Sequence, residues 1–116
     1  VSAHSEIVFP SFAESVFYRE SLSSTNIDDF LAIPHPMELS SIRTKICISI
    51  LDEPIYWSED STVKLIMMLA INKDDYIKIN SIYDILLKII HDNDIRDSIS
   101  NCNDFDNFLS IIKSIV

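Results

Sequence analysis

From about residue 44 apolar residues follow a strand pattern up to about residue 72 and a helical one after it. Between Thr44 and Leu51, Ile46, Ile48 and Ile50 alternate with Cys47 and Ser49, the two-residue period of a strand. Thr62 to Ile71 is almost continuously apolar, as a strand covered on both faces is. "FLAI", from Phe30, predicts a short strand, and "PIYWS", from Pro54, a second one after a turn at Asp52–Glu53. Farther on, Ile82, Ile85, Leu86, Ile89 and Ile90 share one helical face, with Asp74 or Asp75 as the N-cap. A short helix is predicted near Asp94 to Ser100. Phe105, Phe108, Leu109 and Ile112 then form a last amphipathic helix capped near Asp104. At the other end, Phe9, Phe12, Ala13, Val16 and Phe17 predict a helix over 10–22, with Ser11 and Glu14 as a capping box. Residues 1–8 read as poorly anchored. Strands first and helices later predict an α/β domain, a mixed sheet flanked by helices, spanning all 116 residues as one unit. Many residues in the later helices are β-branched, so packing rather than propensity sets their helical state.

Composition removes several function classes. Glycine is absent, which excludes the phosphate loop, the dinucleotide fingerprint and the nucleophile elbow, because each needs glycine where backbone approaches a ligand or turns sharply. Turns fall instead to the Asn/Asp clusters "NKDD", "HDND" and "SNCND". These lack the central glycine and spaced ligands of a calcium loop. The net charge is −9 with no cluster of Lys or Arg, which argues against direct nucleic-acid binding and against an anionic membrane surface. The longest apolar run, Leu65 to Ile71, is far too short to span a bilayer, and no signal segment opens the chain. Cys47 and Cys102 are expected to be reduced thiols, in keeping with a cytoplasmic protein. No cofactor is implied.

The element most in need of a chemical explanation is "LAIPHP", residues Leu31 to Pro36, which uses two of four prolines to bracket His35. Ile33 and His35 each precede a proline and are pushed towards extended backbone. Pro34 and Pro36 have fixed φ and no N–H. The result is a stiff segment outside any regular ladder, a suitable mount for one imidazole whose neutral form is a nucleophile near pH 7. The plain alternative is a surface histidine in a turn. His35 and Glu38 with either cysteine make no metal-ligand spacing. His4 falls in the tail, and His91 at a helix end, where it complements the dipole.

"YRESLSST", Tyr18 to Thr25, followed by "AIPHP", resembles the active-site block of enzyme IIA domains of the bacterial sugar phosphotransferase system, mannitol–fructose class. The similarity runs from about Phe9 to the C-terminus. It implies a three-layer sandwich lacking the first strand and helix of the family domain. It also implies a phosphoryl carrier: His35 stands where the family histidine accepts a phosphoryl group from phospho-HPr and passes it to a cysteine of an enzyme IIB. Arg19 matches the family arginine, whose planar fork suits phosphate oxygens; the alternative for Arg19 is an ion pair with Glu20 or another carboxylate. Ser24 and Thr25 offer hydroxyl donors to phosphate, or a turn and capping role.

Three departures qualify the resemblance. Tyr76 occupies the place of a second family histidine, so slower transfer is expected, and the alternative for Tyr76 is a packing residue. Asp28 and Asp29 stand where the family has glycines and would oppose a phosphoryl group unless they point away. The third is the missing first strand and helix. These changes favour a regulatory IIA-like domain of the kind found in BglG-type antiterminators and related activators. There the partners are HPr or an enzyme IIB and the other domains of the same chain, and a start at Val1 fits an excised C-terminal domain. A sugar-specific enzyme IIA and a degenerate interaction module without phosphoryl chemistry are the alternatives.

Overall fold

The computed structural model describes residues 11–27, 29–37, 40–58 and 61–116, and within these all but the side chains of residues 40 and 76–79. The expectations for residues 1–8, Asp28 and Glu38, and for the side chain of Tyr76, lie outside the described residues. The first element is helix α1 (Phe12–Leu22), followed by two short strands, β1 (Asn26–Ile27) and β2 (Leu31–Ala32). Two long strands come next, β3 (Ser40–Ser58) and β4 (Ser61–Asn72). A 3-10 turn over Lys73–Lys78 leads into α2 (Ile79–His91), α3 (Asn93–Ser100) and α4 (Phe105–Ile115).

The four strands form one mixed sheet in the order β1-β2-β4-β3. Strand β2 runs parallel to β4, while β1/β2 and β3/β4 are antiparallel. The predicted α/β class with a helix-flanked mixed sheet is therefore the observed one. Strand β4 shows how the layers arise. Its odd positions Val63, Leu65, Met67, Leu69 and Ile71 are all buried, and the last four pack with Leu86, Ile89, Ile99 and Phe108 of α2, α3 and α4. Each such Leu or Ile contributes roughly 1.5–3 kcal/mol by leaving water. Even positions Met68 and Ala70 meet Phe12 and Val16 of α1 on the opposite face. That second face is only partly covered, since Thr62, Lys64, Ile66 and Met68 are half-buried, so β4 is less enclosed than its apolar run predicts.

Other expectations also need correction. The turn at Asp52–Glu53 does not form, and "PIYWS" continues β3. Register passes from Ile50↔Leu65 to Ile55↔Val63, so residues 51–54 stand opposite Lys64 alone. A bulge absorbs the extra residues, and Pro54 is tolerated there because that stretch makes no regular ladder. Ser11 makes no side-chain cap bond to α1, its backbone lying at φ −79°, ψ 1° instead of the extended geometry a capping hydroxyl needs. Neither Asp74 nor Asp75 begins α2. Asn72 Oδ1 accepts the Asp74 N–H at 2.8 Å, and Asp75 accepts the Thr44 hydroxyl at 2.5 Å. The cap expected near Asp104 stands: its Oδ1 accepts from Asn107 N at 2.8 Å. The structure adds Asp92 as the N-cap of α3.

Candidate functional site

The Pro–His–Pro segment leaves the end of β2 and is fastened at three points. Ile33 N donates to Thr25 O at 3.2 Å, and Leu69 N of β4 donates to Pro34 O at 3.0 Å. Met37 N donates to Ser15 Oγ of α1 at 3.1 Å. Both prolines are buried and His35 between them is half-buried. Stiff residues and three anchors together fix the ring's mount.

His35 also fixes its own chemistry. Nδ1 lies 2.8 Å from Ile33 O, and a carbonyl oxygen can only accept. Nδ1 therefore carries the hydrogen in the neutral ring, and the lone pair is on Nε2.

Helix α1 sends adjacent side chains to different places, since successive residues are turned by about 100°. Phe12, Val16 and Glu20, four apart, border the groove between α1 and the sheet. Ser15 and Arg19, also four apart, face the histidine segment: Ser15 holds Met37, and Arg19 lines a cavity of about 320 Å³ together with His35. Arg19 Nη1 donates to Ser23 O at 2.8 Å. The guanidinium is thus steadied by the end of its own helix, and no ion pair with Glu20 forms. The Glu20 carboxylate turns away and accepts from Thr25 N and Thr25 Oγ1, each at 2.8 Å, and from Trp57 Nε1.

The same cavity is bordered by Ser24, Thr25 and Tyr83, with Ile33, Leu69 and Ile71 among its apolar residues. Arg19 is the only Lys, Arg, Asp or Glu among its described lining residues. Asp29 is exposed and not among them. Apolar residues beside one guanidinium favour an anion, because a lowered local dielectric strengthens that attraction. The two hydroxyls predicted as phosphate donors are engaged elsewhere: Ser24 Oγ donates to Asn26 Oδ1, and Thr25 Oγ1 to Glu20. Thr25, buried, braces the loop under His35. Sequence reading did not find Tyr83, which lies beside the apolar stripe of α2 and looks like a solvent-facing residue until the helix is docked.

An imidazole with a defined lone pair, an adjacent guanidinium and an open cavity suit transfer of a phosphoryl group. Comparison with known proteins agrees. Residues 2–115 match the family model described as "Phosphoenolpyruvate-dependent sugar phosphotransferase system, EIIA 2". The chain belongs to this family. It is 28% identical over 92 residues to the probable licABCH operon regulator of Bacillus subtilis, covering 79% of this chain and 14% of the regulator. It is 27% identical over 112 residues to the mannitol-specific EIICBA component of Vibrio cholerae, covering 92% of this chain and 17% of that one. The EIIA 2 chain thus spans only a small part of either relative. Among solved structures, the Escherichia coli complex of enzyme IIA mannitol with phosphorylated enzyme IIB matches with a TM-score of 0.77 at 16% identity, over 97% of this chain and 79% of the other. Two further facts bear on the setting. No helix among the described residues is long and apolar enough to cross a membrane. Cys47 and Cys102 are free thiols.

Proposed function

We propose that this EIIA 2 domain is a regulatory phosphoacceptor, phosphorylated on His35 by phospho-HPr or an enzyme IIB inside a cytoplasmic transcription regulator. The observation that carries the reading is the bond from His35 Nδ1 to Ile33 O, made by a ring that shares its cavity with Arg19. The Nε2 lone pair attacks the phosphorus of the incoming phosphoryl donor. A new N–P bond forms as the donor's bond to phosphorus breaks, N–P in phospho-HPr or S–P in a phosphorylated enzyme IIB, and the donor imidazole or thiolate leaves with the electron pair. Such a transition state is loose, so alignment and charge compensation supply most of the catalysis. Arg19 supplies the compensation, its fork meeting two phosphoryl oxygens. The gained negative charge then alters contacts with the regulator's other domains.

Similarity to the licABCH operon regulator favours this setting. The second reading, a transport component passing phosphate to an enzyme IIB, is favoured by the Vibrio cholerae match, which covers 92% of the chain. The family resemblance of Tyr76 to a histidine position bears on both, since a phenol cannot carry the positive charge of an imidazolium; Tyr76→His should raise the rate.

Incubation with phospho-HPr tests the proposal. Acid-labile phosphate is expected on the wild type and absent from His35→Ala. A wild type that takes no phosphate, or a His35→Ala variant that still takes it, would overturn the reading. Passing that phosphate on to an enzyme IIB and a sugar would select the transport role.

A further inference from the structure

Strands β1 and β4 line part of the phosphoryl cavity, and Arg19 from α1, His35 from the segment after β2 and Tyr83 from α2 line the rest with the loop at Ser24 and Thr25. Its side-chain hydroxyls belong to Ser24, Thr25 and Tyr83. Two have given away their single proton, Ser24 to Asn26 and Thr25 to Glu20. The Tyr83 hydroxyl has no hydrogen-bond partner among the described residues. A phosphoryl group on Nε2 would present three charged oxygens, and Arg19, on α1, is the one Lys or Arg among the described lining residues.

Helix α2 explains why a phenol stands there. Leu86 and Ile89 are buried in the core, and Ile82 and Ile85 pack against it. Tyr83 falls beside this stripe and is 54% exposed. It lines the cavity together with His35 and the apolar Ile33, Leu69 and Ile71. A phenol offers one O–H donor at the end of a rigid ring with only two torsions to fix.

We propose that Tyr83 is a second phosphate-binding residue of this site, its phenol donating a hydrogen bond from α2 to a phosphoryl oxygen on His35. The inference rests on the phosphoacceptor reading and names the group that completes its oxygen-binding set. No proton is transferred, so the phenol stays intact through both directions of the reaction. A hydrogen bond to a charged group contributes about a tenfold to hundredfold effect.

Two phosphoryl donors separate a phosphate contact from a docking contact. Phospho-HPr brings a protein surface, whereas phosphoramidate phosphorylates an imidazole with no partner at all. Tyr83→Phe keeps the ring and removes the hydroxyl. It should take phosphate from both donors roughly tenfold more slowly than the wild type, with an unchanged melting temperature and a shifted phosphohistidine 31P resonance. As a check needing no variant at position 83, the Tyr83 13Cζ resonance should move when the wild type is phosphorylated and stay still in donor-treated His35→Ala. Equal rates for Tyr83→Phe and wild type, slowing with phospho-HPr alone, or a stationary Tyr83 resonance would each overturn the inference while leaving His35 as acceptor. No labelling of the wild type by either donor would overturn both.

Discussion

Glu20 and Thr25 are joined twice: one carboxylate oxygen accepts the Thr25 N–H and the other its hydroxyl, both at 2.8 Å. Trp57 Nε1 donates to the same carboxylate. One side chain thereby ties the end of α1 to the loop entering the sheet and to the far end of β3. Thr25 in turn accepts the Ile33 N–H through its carbonyl, and Ile33 O is the acceptor for the His35 ring. The chain of bonds from Glu20 ends at the nucleophile.

Truncating Glu20 leaves these donors unanswered in a partly buried place. We expect Glu20→Ala to lose about 2–4 kcal/mol, given that hydrogen bonds to a charged group contribute about 1.5–3 kcal/mol each and are not additive. Glu20→Gln, which keeps an acceptor oxygen, should lose less. Urea denaturation followed by fluorescence of Trp57, the single tryptophan, measures both. A Glu20→Ala midpoint equal to that of the wild type would show the carboxylate to be dispensable.

Arg19 differs in kind from its neighbour. Its Nη1 is held by the Ser23 carbonyl, and the residue lines a cavity whose described lining contains no carboxylate side chain. Arg19→Ala should cut labelling of His35 at least tenfold, on the scale of a charge-assisted hydrogen bond, without lowering the unfolding free energy by more than about 1 kcal/mol, as for surface polar contacts. Arg19→Lys keeps the charge but not the planar fork, so labelling should be intermediate. Unchanged labelling of Arg19→Ala would make the arginine structural only.

The two thiols should separate by reactivity. Cys47 is exposed, whereas Cys102 is half-buried with its Sγ 3.4 Å from Ser98 O. Burial, and then the negative charge of Asp104, push the Cys102 thiol above its ordinary range. A neutral alkylating reagent should therefore modify Cys47 first, because the thiolate is the reactive form. The raised value has a stability consequence. The unfolded chain ionises Cys102 at its ordinary value and so holds fewer protons than the folded one just above it. Stability contributed by the neutral thiol is complete below that value and is lost as pH rises towards the folded one. Cys102→Ala should flatten the alkaline fall in a melting curve taken at successive pH values. Faster modification of Cys102 than of Cys47 would contradict the assignment.

Local rules made part of this legible. The strand over Thr62 to Ile71, the stripe of α2, the cap at Asp104 and the stiff mount of His35 all follow from neighbours in sequence, although the half-open second face of that strand does not. What escaped depends on distant partners. Strand β1 is two residues long and exists because Asn26 and Ile27 meet Ala32 and Leu31. The turn expected at Asp52–Glu53 yields to a bulge because β4 continues past it as a partner. Neither Asp74 nor Asp75 caps α2, because a 3-10 turn intervenes; Asn72 accepts from Asp74 N at the start of that turn, and Thr44, remote in sequence, engages Asp75. In the site, the Arg-Glu pair reads as one polar unit, yet the helical turn sends Arg19 to the cavity and Glu20 to the groove. Tyr83 carries no local signal, because its place at the rim is decided by how α2 docks on the sheet.

Helix beginnings give the sharpest contrast between similar-looking residues. Asp104 and Asp92 have extended backbone, at φ −151° and −127°, and their side chains accept helix N–H groups. Ser11, at φ −79° and ψ 1°, makes no such bond although it precedes a helix and has Glu14 three residues later. A capping side chain stabilises a helix by about 1 kcal/mol through a donor that otherwise lacks a partner, and a carboxylate adds its attraction to the helix dipole. Asp104→Ala and Asp92→Ala should each lower stability by about 1 kcal/mol, and Ser11→Ala should change it by less than about 0.5 kcal/mol. Denaturation midpoints at constant slope measure all three. α4 contributes the buried Phe108 to the main core, so its cap should report on global unfolding rather than on fraying of the last helix. A loss for Ser11→Ala equal to that for Asp104→Ala would mean that the hydroxyl caps α1 in solution after all.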